Sequence, residues 1–309
     1  MAAAGNEQQH TADCRHYIVQ KCNALQTNKK CMTQKSIRID NKQVQYTVSG
    51  KGQPLVLVHG FAEDSDVWRY QLDDLVKTHL LIIPDLPGSG KSEMTDDMSI
   101  EGLADAVKKI IDQEIPEIET VKEQDKPIVI GHSMGGYITL AIAEKYPQQL
   151  AGFGLFHSSA FADNDEKKAT RRKSIEFMQT HGSAGFIKQS APNLFTPEYR
   201  TENAIILQDM IDRYSNFDPA VLIAYYEAMI DRPDRTAVLK SFKKPVLFII
   251  GKQDKAIPFE DSMKQCHLPQ ESAVHILENA AHMGMWEEKE KSSGALLSFL
   301  KQVQQLSLH

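Results

Sequence analysis

Cysteine is scarce in this chain: four occur in 309 residues, with Cys14, Cys22 and Cys31 near the start and Cys266 alone near the end. None has the close C-x2-C spacing of a zinc site or redox pair, so all four read as free thiols, and no metal gathered from the first three with His10 or His16 is expected. An excess of positive charge is lacking as well. Lys+Arg 35 against Asp+Glu 41 gives a net charge of −6, which supplies no sequence-independent attraction for nucleic acid or an anionic membrane. No apolar run approaches the roughly 18 residues of a membrane span, and the opening Met1-Ala2-Ala3-Ala4-Gly5-Asn6-Glu7 has neither the basic nor the apolar region of a secretory signal. The compartment expected by default is the cytoplasm. What is present lies near the globular average, with 41% hydrophobic and 25% charged residues, so disordered, collagen-like and coiled-coil readings lose their support.

Residues 1–36 are polar, rich in Gln, Asn and Lys, and without sustained periodicity, and they read as a poorly ordered leader. From Ile37 the pattern becomes short β-rich runs at 44–48, 55–58, 80–83, 128–130, 153–156, 246–250 and 274–277. Runs of this length flanked by Gly or Pro suit strands buried on both faces of a mostly parallel sheet. Between them Leu103, Val107, Ile110 and Ile111 recur at helical spacing, as do Trp68, Leu72 and Leu75, supplying the crossover helices that parallel strands require. The class is α/β. The alternation breaks at 159–239, where helical segments follow one another without a strand: a strongly charged one at 166–180, an amphipathic one at 197–214, and one opened by Asp218-Pro219. A helical insertion at the carboxyl ends of such a sheet would roof the crevice where open α/β sheets bind ligands.

The most informative stretch is Gly131-His132-Ser133-Met134-Gly135, with the apolar run 128–130 before it and a helical run to Tyr146 after it. G-x-S-x-G between a strand and a helix places the serine on a cramped turn with its hydroxyl projecting, the glycines removing side chains that would collide. The turn also sets Ser133 at a helix start and aims the Met134 N–H at a developing oxyanion. A serine hydroxyl is a weak nucleophile near neutrality and needs a histidine base with an acid to orient it.

Eleven histidines are available. Terminal positions, strand interiors and the insertion account for most of them; His132 adjoins the serine and should point away from it, leaving His59, His157 and His282. His282 follows the last strand on a loop at its carboxyl end, the same side as Ser133, and is the expected base. The acid should sit on another such loop. The run 246–250 ends at Gly251-Lys252-Gln253-Asp254, and Pro258 closes the bend, so Asp254 is the expected carboxylate.

Serine, acid and histidine in the order Ser133, Asp254, His282 resemble the α/β-hydrolase superfamily, specifically its lid-bearing esterases, lactonases and C–C bond hydrolases, over roughly residues 38 to 305. The resemblance implies a core of 37–158 and 240–305 with an inserted all-helical cap at 159–239. His59-Gly60-Phe61 matches the family's oxyanion segment, which implies that the Phe61 N–H joins that of Met134 while His59 braces the loop. Asp85-Leu86-Pro87-Gly88-Ser89-Gly90-Lys91-Ser92 matches a family turn that shapes the floor of the site. Its Gly-Lys-Ser is no P-loop, because Asp85 stands where a Walker A motif needs Gly and a carboxylate there would repel phosphate. Ser133 stands where dehalogenases and epoxide hydrolases of the superfamily carry Asp. Neither a His-Gly-Gly-Gly segment nor a Gly-Gly-Ser-Trp-Gly elbow is present, which argues against the hormone-sensitive-lipase branch and against peptide hydrolysis.

The activity implied is serine hydrolysis of a small carboxylic ester or lactone, with no metal or cofactor and a small molecule as the partner. A C–C bond hydrolase or thioesterase with the same triad is the first alternative, and a slow-turnover ligand receptor of the same fold the second. Composition does not fix the oligomeric state. In the insertion, Val221, Leu222, Tyr225, Tyr226, Met229 and Ile230 make a helix apolar on more than one face, which either lines a pocket or packs among its neighbours. Lys167, Lys168, Arg171, Arg172 and Lys173 beside Asp163, Asp165 and Glu166 read as a solvated helix face, with an anionic-substrate gate as the minority reading.

Overall fold

The computed structural model describes residues 32–116 and 118–307. The bulk of the polar leader, with Cys14, Cys22 and Cys31, lies outside the described residues; Cys266 is buried and free. Eight strands form one sheet in the order β1-β2-β4-β3-β5-β6-β7-β8: β1 (Thr33–Ile39), β2 (Lys42–Gly50), β3 (Gln53–Val58), β4 (His79–Pro84), β5 (Ile128–His132), β6 (Gly152–Phe156), β7 (Val246–Gly251) and β8 (Ser272–Leu277). β2 pairs antiparallel with β4, and the pairs from β4 through β8 are parallel. Every residue of β3, β5, β6 and β7 is buried, as apolar strands covered by helices on both faces must be. β8, at the sheet edge, alternates instead and leaves Val274 and Ile276 more than a third exposed.

β1 departs from the sequence reading, which began the ordered pattern at Ile37. Its residues Thr-Gln-Lys-Ser-Ile-Arg-Ile are polar because an edge strand needs one apolar face at most. Helices α1 (Leu72–Leu75), α2 (Ile100–Glu114) and α3 (Met134–Lys145) follow the early strands. Ser99 caps α2 by accepting from the Gly102 N–H, and Leu103, Val107, Ile110 and Ile111 form the buried stripe that packs on the sheet. Past β7 come α9 (Phe259–Gln265), α10 (Gly284–Glu287) and α11 (Lys289–Leu306). No helix among the described residues is long and apolar enough to cross a membrane.

Between β6 and β7 there are only helices: α4 (Asp165–Ser190), α5 (Pro197–Glu202), α6 (Ala204–Tyr214), α7 (Pro219–Asp231) and α8 (Thr236–Ser241). α4 begins under an Asn164 cap and kinks at Gly182, where φ is 73°. The amphipathic segment expected at 197–214 is two helices, separated at Asn203. α7 opens as Asp218-Pro219 foretold, with the Asp218 carboxylate accepting from the Ala220 N–H.

The insertion is tied to the sheet through the 85–92 turn. The buried Tyr225 hydroxyl of α7 donates to the Pro87 carbonyl at 2.6 Å and accepts from Ser89 Oγ at 2.9 Å, and a Cβ on Gly88 would meet Val221 at 2.5 Å. Arg213 and Tyr214 of α6 make a second tie, donating to the Asp64 carboxylate on the β3 side. Removing a buried hydroxyl strands its partners, at a cost of about 1–2 kcal/mol. Tyr225→Phe is therefore expected to lower the unfolding free energy by about that amount in urea denaturation; an unchanged midpoint would show that water replaces the hydroxyl freely.

Candidate active site

The turn from β5 into α3 is built as its glycines require. Ser133 sits at φ 51°, ψ −116°, a conformation costing about 1–3 kcal/mol for a non-glycine residue, and the surroundings hold it there. Its N–H donates to the Phe156 carbonyl, and its own carbonyl accepts from the Gly136 N–H and from Ser158 Oγ at 2.7 Å. A Cβ on Gly131 would lie 2.1 Å from the Gly135 carbonyl oxygen, and one on Gly135 would lie 2.4 Å from that of Val58. The side chains missing at 131 and 135 are thus what lets strand and helix close on this angle. Met134, the first residue of α3, has no intrahelical acceptor for its N–H.

Asp254 lies past β7 with its carboxylate almost wholly buried. Oδ1 accepts the Ala256 and Ile257 N–H groups at 2.8 and 2.9 Å, and Oδ2 lies 2.8 Å from His282 Nδ1 and 3.2 Å from His157 Nδ1. Burial alone would raise this carboxyl, but the His282 charge and the hydrogen bonds hold it far below the usual carboxylate range. The contact favours the His282 proton on Nδ1, and the residue lines the same cavity as Ser133. The backbone of His282 is clamped too: its N–H donates to Leu194 O, and its carbonyl accepts from His132 Nε2 at 3.0 Å.

His157, weighed in sequence as a possible base, is instead wedged behind Asp254. Its Nε2 faces the Gly284 N–H at 3.2 Å, and its Nδ1 lies 3.1 Å from the Gly251 nitrogen as well as 3.2 Å from Asp254 Oδ2. The ring occupies space left by two glycines, since a Cβ on Gly251 or Gly284 would overlap it. Burial pushes His157 down to about 4, against which the nearby Asp254 charge is insufficient. His157, Asp254 and His282 are the group among the described residues whose ligand atoms lie within 4.8 Å of one another. His282 Nδ1 is engaged by the carboxylate, and backbone N–H groups face both nitrogens of His157, so these atoms already have partners within the protein.

His132 contacts a residue that no sequence motif pointed to: Glu63. His132 Nδ1 and Glu63 Oε2 are 3.0 Å apart and fully buried, and the same oxygen accepts the Gly60 N–H at 2.7 Å. Burial opposes charge on both, yet their mutual attraction raises His132 and lowers Glu63, so they form an ion pair beside the 59–61 segment. His59 braces that segment, with Nδ1 on the Gly60 carbonyl and Nε2 accepting the Leu86 N–H.

Ser133, His282 and Phe61 all line one cavity of about 150 Å³. The insertion supplies its other wall: Lys167, Arg171, Leu194, Tyr226 and Met229, with Tyr226 stacked on Phe61 at 4.2 Å between ring centroids. A smaller cavity of about 80 Å³ shares Phe61, Glu63, Leu194 and Tyr226 with it and is otherwise lined mainly by apolar side chains. The helix read as apolar on several faces is thus divided: Tyr226 and Met229 reach the cavity, while Val221, Leu222, Tyr225 and Ile230 are buried in packing. The basic run is divided in the same way, and here the solvated-face reading fails in part. Arg172 and Lys173 are exposed, but Lys167 and Arg171, four residues apart, turn into the cavity.

Residues 53–289 match a family model described as alpha/beta hydrolase fold. A dihydrolipoyllysine-residue acetyltransferase component of the acetoin cleaving system of Pseudomonas putida is 28% identical over 257 residues, covering 81% of this chain and 64% of that one, so this chain spans less than two thirds of that relative. A 2-hydroxy-6-oxo-6-(2'-aminophenyl)hexa-2,4-dienoic acid hydrolase of Metapseudomonas resinovorans is 25% identical over 273 residues, covering 84% of this chain and 87% of that one. Among solved structures, a thermophilic esterase from Thermogutta terrifontis superposes with a TM-score of 0.78 at 25% identity, covering 88% of this chain and 99% of its own.

A histidine held down to about 4, against 6.5 when unfolded, stays unprotonated in the fold while the unfolded chain binds a proton, so it withdraws stability as pH falls through that window. The gap corresponds to about 3 kcal/mol. His157→Gln cannot titrate, and its unfolding free energy is expected to fall less steeply than wild type between pH 6.5 and 4 in denaturant titrations. Identical slopes would show that His157 is protonated in the fold.

Proposed function

This chain belongs to the α/β-hydrolase fold family, and on that premise we propose that it is a serine hydrolase acting on a small carboxylic ester or lactone through an acyl-enzyme intermediate. The observation that carries the reading is His282, held by Asp254 at 2.8 Å through Nδ1 and lining the cavity that Ser133 also lines. In this reading Ser133 Oγ attacks the acyl carbon while His282 Nε2 takes its proton. The carbonyl oxygen becomes an oxyanion held by the Phe61 and Met134 N–H groups. Collapse expels the alcohol, which receives the proton from His282, and a water activated by the same imidazole releases the acid. Asp254 keeps one tautomer in place and stabilises the imidazolium. Each oxyanion donor contributes about 3 kcal/mol to such a transition state.

Helices α4 to α8 serve as the cap in this proposal. They bring Tyr226 over Phe61 and close the cavity from the side opposite the sheet. A volume of about 150 Å³ takes a benzene-sized group, which favours short acyl chains. The relative named as a hexadienoic acid hydrolase keeps C–C bond cleavage by the same three residues as a second reading, separable by comparing esters with vinylogous diketones.

Ser133→Ala is expected to abolish hydrolysis of p-nitrophenyl acetate with an unchanged circular dichroism spectrum, because the hydroxyl faces the cavity. Asp254→Asn is expected to reduce kcat by about 10⁴, through the wrong imidazole tautomer. Activity retained in either folded variant would reassign the nucleophile or the orienting acid.

A further inference from the structure

We propose that Lys167 and Arg171 form an anion-recognising subsite in the cavity beside Ser133, which selects esters or lactones that carry a carboxylate. The charge census is lopsided there. Asp163, fully buried, is the carboxylate serving three cations: Arg171 Nε at 2.5 Å, Arg232 at 2.8 Å and Lys167 at 4.0 Å. The remaining acids that face the site are committed elsewhere, Glu63 to His132 and Asp254 to His282. Three positive groups against one negative leave an excess of two in this cluster, in a chain whose net charge is −6, and Lys167 and Arg171 are its members that line the small cavity.

The three cations differ in what they have left to offer. Arg232 does not line this cavity: its Nη groups donate to Met229 O, Phe161 O and Asp163, and its buried Nε is left without a partner among the described residues. Arg171 is held by Nε alone among the described residues, and its guanidinium lies 5.4 Å from the Tyr226 ring centroid, leaving the Nη edge for the cavity. Lys167 gives one donor to Ala256 O at 2.9 Å, next to the Asp254 loop, and keeps two. A fork of two N–H groups beside an ammonium matches a carboxylate, and partial burial makes such charge-assisted bonds stronger than at a surface. Tyr137 reports the same field. Burial would raise its phenol, yet Arg232, Lys167 and Arg171 outweigh burial and bring it below its ordinary value. A hollow of about 290 Å³, lined by Asp163, Lys167, Arg232, Asp261 and Lys264, shares Lys167 with this wall.

The subsite narrows the proposed hydrolase to acidic substrates, and its test separates the two claims. Glutarate at constant ionic strength is expected to raise the melting temperature of the full chain and of Arg172→Met, whose side chain is exposed, but not of Arg171→Met. Two matched substrate pairs read selectivity: mono-p-nitrophenyl glutarate against p-nitrophenyl pentanoate, and 4-carboxyphenyl acetate against phenyl acetate. The anionic member of at least one pair is expected to show a kcat/KM at least about tenfold higher, a ratio that collapses in Arg171→Met and in Lys167→Met. No glutarate stabilisation, equal rates within both pairs, or selectivity that survives Arg171→Met would overturn the subsite while leaving ester hydrolysis standing. Glutarate binding without turnover of any ester would instead overturn the hydrolase reading and keep the subsite.

Discussion

A carboxylate kept charged inside the protein has to gather donors, and Asp254 gathers them from three loops. Two N–H groups come from its own bend, one imidazole from the loop after β8 and one from the end of β6. Leaving such a charge unpaired costs about 3–5 kcal/mol, against a total stability of about 5–15 kcal/mol for an ordinary domain. The need to satisfy one side chain therefore pins the carboxyl ends of three parallel strands to one another. His282 is oriented by a constraint of folding, before any substrate is present, which is what preorganisation means here.

Strain is held on the facing strand in the same manner. The backbone at Ser133 is kept at positive φ by Phe156 O, Ser158 Oγ and the close approach that Gly131 and Gly135 permit. The elbow and the histidine loop are then joined by His132, which bonds the His282 carbonyl on one side and the Glu63 carboxylate on the other. Since Glu63 also receives the Gly60 N–H, hydrogen bonds link the 59–61 segment, the elbow and the histidine loop.

The placement of Ser133, Asp254 and His282 at one end of the sheet was legible in the sequence for a topological reason: loops at the carboxyl ends of parallel strands lie on one side of the sheet, so a motif on one strand locates the loops to search. β3, β5, β6 and β7 were legible because burial on both faces demands unbroken apolar runs. β1 was not, since an edge strand is free to be polar. Nor were the roles of Glu63 and His157, whose partners are distant in sequence. Lys167 and Arg171 share a helix face by their spacing, but spacing cannot tell whether that face meets solvent or a cavity; Arg172 and Lys173, on the same helix, do meet solvent.

The central claim is that the Asp254–His282 contact makes the Ser133 oxygen reactive. It is tested most directly by the rate at which a fluorophosphonate labels the chain, with peptide mass spectrometry locating the adduct. One adduct on Ser133, formed rapidly in the wild type and slowed by orders of magnitude in His282→Ala of unchanged fold, is the outcome predicted. An adduct on another residue, or equal labelling rates in the two proteins, would contradict it.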